Sequence, residues 1–253
     1  MIRPATNGSI NVLTAGNFGP VVIQKPISIV AEGVEAVINS GANAAGIFVN
    51  AGGGAVVSLR GLTLDMRGTS NNGITFLAGA ALHVHDTVIR KAPHGIVFFV
   101  NSGTRKLHVA DTVIMDSELT GISVEAQGTA AISAAIDRVK VENGADHGIV
   151  FTGSGGSVTA TVRDSVVAGN TGTGIGGTSI STVNVMVDHT ALVNNGAGLS
   201  ATGGSTTIRF GDSTLTGNTV ATAAATGGTI LSYETNKING NGTDTTPTTI
   251  PMK

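Results

Sequence analysis

The chain has 253 residues, 14 basic and 16 acidic, for a net charge of −2; glycine takes 37 positions and aromatics only 3%. Apolar residues make up 41%, which with so little net charge can bury a core and excludes a disordered chain; near-neutrality also argues against a nucleic-acid partner, which needs a basic surface. No apolar run reaches the roughly 18 residues of a membrane-spanning helix, and the absence of cysteine excludes a disulfide framework and thiolate chemistry.

In chain order, an opening segment with Ile10 to Leu13 and Lys25 to Ile29 leads into repeats. Leu59-Arg60-Gly61-Leu62-Thr63 sets a register that returns as Val84-His85-Asp86-Thr87-Val88-Ile89 and Val109-Ala110-Asp111-Thr112-Val113-Ile114. It continues through Asp137, Asp164, His189, Asp212 and, less well, Asn236, at steps of 23 to 27 residues. A second marker of the same period is glycine before an apolar residue: Gly46-Ile47, Gly73-Ile74, Gly95-Ile96, Gly121-Ile122, Gly148-Ile149, Gly174-Ile175 and Gly198-Leu199. A third is asparagine six residues after the key position, at Asn143, Asn170, Asn195 and Asn218.

Each repeat is too short for a helix pair and lacks helical apolar spacing. Short runs of Val, Ile and Thr between Gly, Asn and Asp read as strands and turns. Leu82 with Val84, Leu107 with Val109 and Val185 with Val187 lie four and two residues before the key position, so alternation turns them inward and their neighbours outward. Single coils of this length cannot bury an inner face, whereas stacked coils share one. The expectation is an all-β, single-domain parallel β-helix over residues 1–242, with three short strands in each of about nine or ten coils and a length on the order of 45 Å. Residues 243–253, with Pro247 and Pro251, are expected to form an extended tail that caps the last coil through Ile250 and Met252.

These repeats, with the opening segment and the closing Ser232 to Gly240, resemble the right-handed parallel β-helix repeat proteins that share the pectate-lyase-like fold. The resemblance covers nearly the whole chain and implies an exported protein of the cell envelope or exterior, whose leader would precede Met1. That fold hosts lyases, hydrolases, esterases, tailspikes and adhesins, so it does not settle function. The polygalacturonase signature is absent, since His94-Gly95 and His147-Gly148 supply half of one motif each. No catalytic residue is carried over from the resemblance.

Two columns read as structural. Asp86, Asp111, Asp137, Asp164 and Asp212 suit tight corners, where a carboxylate can accept a backbone N–H, although calcium between coils is an alternative. Asn143, Asn170, Asn195 and Asn218 suit stacked amides that hydrogen-bond along the rod.

Chemistry concentrates elsewhere. Outward positions place His83 beside His108, with His85 on the same face and Arg60 one coil below it. From residue 60 to 108 six basic residues, Arg60, Arg67, Arg90, Lys91, Arg105 and Lys106, face two acids, Asp65 and Asp86, a local excess of four positive charges. The preferred reading is a non-catalytic scaffold or a glycan- or surface-binding module. The alternative is a polysaccharide-active enzyme on acidic glycans, with His83, His85, His108 and Arg60 as catalytic candidates and Arg67, Arg90, Lys91, Arg105 and Lys106 binding the polymer. A third reading is a subunit of a larger assembly, or a homo-oligomer, joined through the apolar outer strip of Phe48, Thr75, Val97, Ser123 and Val150. No cofactor is assigned; a zinc site on the three histidines would want a fourth ligand that no spacing motif supplies.

Overall fold

The computed structural model describes residues 8–39, 45–68 and 71–251, and over these it is a right-handed parallel β-solenoid with no helix. One ladder of ten strands runs from Gly16–Phe18 to Lys237–Ile238. The two other faces are joined into one sheet, because the strands His94–Ala110 and Thr120–Asp137 continue from one face to the next. Ten rungs on the shorter ladder agree closely with the expected coil number.

The alternating pattern produces three inward columns. Leu59, Val84, Val109, Ile136, Val162, Val187 and Phe210 stand in register on one face. Leu64, Ile89, Ile114, Val141, Val167, Leu192 and Leu215 do so on the ten-stranded ladder. Ile47, Ile74, Ile96, Ile122, Ile149, Ile175 and Leu199 form the third column. These side chains are buried, and each contributes about 1.5–3 kcal/mol by leaving water. Phe76 and Phe98 stack within the core at a centroid distance of 4.3 Å. The glycine before each isoleucine is a packing requirement. A Cβ on Gly73 would come within 2.5 Å of Ile89 Cγ2 and of the Gly95 carbonyl oxygen, and one on Gly121 within 2.3 Å of Val141 Cγ1.

The corner between the outward histidine face and the ten-stranded ladder is a left-handed residue in successive coils: Gly61, Asp86, Asp111, Arg138, Asp164, His189 and Asp212, with φ between 45° and 70°. Asp137 is not among them. A register shift between Val100 and Ser102, set against Ala126 and Thr129, adds a residue near left-handed Gly128, and Ala110 therefore pairs with Asp137. Arg138 takes the corner, and Asp137 ends the preceding strand with 6% of its surface exposed. The corner carboxylates of Asp86 and Asp111 meet arginines, not backbone N–H groups. The buried hydroxyl after the corner makes the local turn bond: Thr87, Thr112, Ser165, Thr190 and Ser213 each donate to the carbonyl two residues back.

The same one-residue slip moves the asparagine column. Asn143 occupies a second left-handed corner, at φ 58°, and Gly144 stands where the amide ladder would continue. The ladder consists of Asn170, Asn195, Asn218 and Asn241. The backbone N–H and side-chain amide of each of the first three donate to Oδ1 of the next, at 2.9–3.1 Å. Asn241 in turn donates to Asp244 Oδ1. From Thr243 the chain crosses the last coil, and Thr248–Ile250 adds a strand to Thr229–Tyr233. Met252, named above as an anchor, lies outside the described residues.

Asn195→Leu should strand the buried N–H of Asn170 and remove the lateral bond from Asn195 to the Val167 carbonyl. A loss of about 1–3 kcal/mol for each unsatisfied group is expected in chemical denaturation. Asn143→Gly keeps a left-handed residue at an exposed corner, and its stability should stay within about 0.5 kcal/mol of the parent. Equal losses in the two variants would contradict the assignment of the ladder.

Candidate metal centre

Ala81–His85 lies beside the second half of His94–Ala110 in parallel register, with His83 opposite His108 and His85 opposite Ala110. Leu82, Val84, Leu107 and Val109 fill the core between these positions, so the strand alternation holds all three imidazoles on one outer face. His85 and His108 meet edge to face at 4.8 Å between centroids, His83 and His108 at 5.9 Å, and the rings of His83 and His85 lie parallel at 6.4 Å. One nitrogen from each ring can be chosen so that all three lie within 4.8 Å of one another. Each histidine is half-buried, so the cluster is fixed by neighbours yet open to solvent.

The surroundings of His83 and His85 favour the neutral ring. Burial pulls His83 below the ordinary imidazole range, and His108, His85 and Lys106 push it the same way. Burial and then His108 do the same to His85, where Asp86 acts in the opposite direction. A neutral imidazole is the form that offers a lone pair to a metal.

Arg60 lies opposite His85 on the preceding coil. Its Nε is 3.1 Å from Asp86 and 3.2 Å from Glu32, so the guanidinium is engaged by two carboxylates. Three coils further, Arg138 binds both oxygens of Asp111, at 2.7 and 2.9 Å, and also contacts Asp137, which Arg163 reaches at 2.9 Å. Arg60 and Arg138, on either side of the successive corners Asp86 and Asp111, thus offset the like-charge repulsion of stacked aspartates.

The structure brings His83, His85, His108, Arg60 and Lys106 to one face. It divides the rest of the expected basic strip. Arg90 lies on the ten-stranded ladder and pairs with Asp65 at 3.0 Å, while Arg67 and Lys91 occupy left-handed corners beyond that ladder. Arg105 bends back over Gly103 at the opposite edge and donates to the Thr104 carbonyl. These four were near His83 in sequence because one coil carries three outward faces, so closeness along the chain does not place residues on the same face. Glu32 was missed as a partner of Arg60, since the opening coils lack the repeat markers that would have aligned it.

A family model described as periplasmic copper-binding protein (NosD) matches residues 36–243, most of the chain. No curated relative matches it.

Hydrogen bonding from Arg138 holds the Asp111 carboxyl below its ordinary value. Arg138→Ala should let it return toward about 3.8, measured by carboxyl-carbon NMR titration. An unchanged titration would remove Arg138 as the cause.

Proposed function

We propose that this chain, which belongs to the NosD family, is a periplasmic metal-binding β-solenoid that holds copper on His83, His85 and His108. The observation that carries this reading is the convergence of three imidazoles, two of them biased toward neutrality, on adjacent strands of a rigid face.

The donor set fits the metal. Imidazole nitrogen is a good ligand for copper, and the chain offers no thiolate in its place. Metal–nitrogen bonds of about 2 Å would set the donors of a shared ion no more than about 4 Å apart. The donors lie within 4.8 Å of one another, and rotation of these half-exposed side chains would bring them to that spacing. Copper would supply a Lewis-acidic centre at an otherwise hydrogen-bonded surface. The strands preorganise the ligands, burial biases His83 and His85 toward the neutral form, and Asp86 offsets the charge of Arg60 beside them. With Arg60 held by Glu32 and Asp86, the same residues support metal binding better than proton abstraction from a glycan.

Metal-free protein titrated with Cu²⁺ against a competing chelator should bind at this site. Removing a ligand, as in His83→Ala or His108→Ala, should weaken binding by more than the roughly 10–100-fold typical of outer-shell changes. His94→Ala, outside the cluster, should have no effect, and nitrogen couplings in the electron paramagnetic resonance spectrum should report several imidazoles. Equal affinity in parent and His108→Ala protein would overturn the assignment.

A further inference from the structure

The outward row holding His85 continues through Ala110, Asp137 and Arg163 to Asp188 and Gly211. There a second set of donors converges. His189 and Asp212 hold successive left-handed corners, at φ 45° and 48°, immediately after Asp188 and Gly211. His189 Nδ1 lies 3.0 Å from Asp188 Oδ2, and one ligand atom from each of Asp188, His189 and Asp212 can be chosen so that all three lie within 4.8 Å of one another.

Space is left in front of the two carboxylates. Asp188, Gly211 and Asp212 line a groove of about 700 Å³ whose wall includes Tyr233 and Met186. Gly211 opens its floor: a Cβ there would lie 3.6 Å from Asp188 Oδ1 and 3.3 Å from the Tyr233 ring. Most other coils carry a larger side chain at this outward position. Asp188 and Asp212 set two carboxylates beside the His189 ring. Arg209 lines the same groove and is the opposing charge.

We propose that Asp188, His189 and Asp212 form a second metal site, for a divalent cation of the zinc class, separate from the three-histidine cluster. Two carboxylates and one imidazole are harder ligands than three imidazoles, and zinc takes both types with bonds of about 2.0–2.2 Å. The sites share one face and are about three coils apart, on the order of 14 Å. The second site does not depend on copper binding at the first.

The test uses Zn²⁺ and calorimetry on the full chain, with Co²⁺ absorption as the spectroscopic signature. A variant combining His83→Ala, His85→Ala and His108→Ala isolates the second site. It should retain one zinc, and adding Asp212→Asn should weaken that binding at least tenfold and abolish the cobalt spectrum. Asparagine tolerates the left-handed corner, so the backbone should survive; circular dichroism checks this. No zinc in the triple variant, or undiminished binding after Asp212→Asn, would overturn the proposal. Because the first site is removed beforehand, failure of the copper reading would leave this result unchanged.

Discussion

In a stacked coil the nearest neighbour of a side chain is its counterpart one repeat away, across a strand spacing of about 4.8 Å. Each sequence position is therefore judged against a column. Apolar columns satisfy this constraint simply, as Leu64 through Leu215 illustrate. Polar columns need a scheme that survives translation. The buried amides solve it with one group that donates upward and accepts from below, and the outer face solves it by pairing Arg60 with Asp86 and Arg138 with Asp111.

Metal-binding capacity follows from the same constraint. Histidines two residues apart on a strand point to the same side, and one more on the adjacent coil lands beside them. His83, His85 and His108 need no loop to assemble them, and neighbouring coils hold their backbone positions. The fold makes such a site inexpensive in ordering entropy, because the strands are already fixed by the core beneath them.

Much of this was legible in the chain itself. Repeat markers gave the fold, and alternation placed the three histidines together. What failed was counting through irregularity. The aspartate at 137 looked like its neighbours in sequence, yet the residue added near Gly128 shifted Arg138 into the corner, and the same shift exchanged Asn143 for Gly144 in the amide column. Basic residues from Arg67 to Arg105 were grouped by closeness along the chain, a measure that ignores how quickly a coil turns from face to face. His189 and Asp212 were assigned to the key column, but their convergence with Asp188 brings a corner together with the strand residue before it, which a two-residue period does not describe.

The amide ladder also has a direction. Asn170, Asn195 and Asn218 each pass the backbone N–H and an amide hydrogen to the next asparagine toward the C-terminal end, and the series finishes on Asp244, whose carboxylate accepts from Asn241 and from the Gly240 backbone. Those bonds hold its pKa below the ordinary value, so it stays an acceptor with no proton to hand onward. It acts as a chain terminator in the polymer sense. Adding one more asparagine to the series would mean replacing that carboxylate with an amide. The amide series is thus closed by hydrogen-bond polarity.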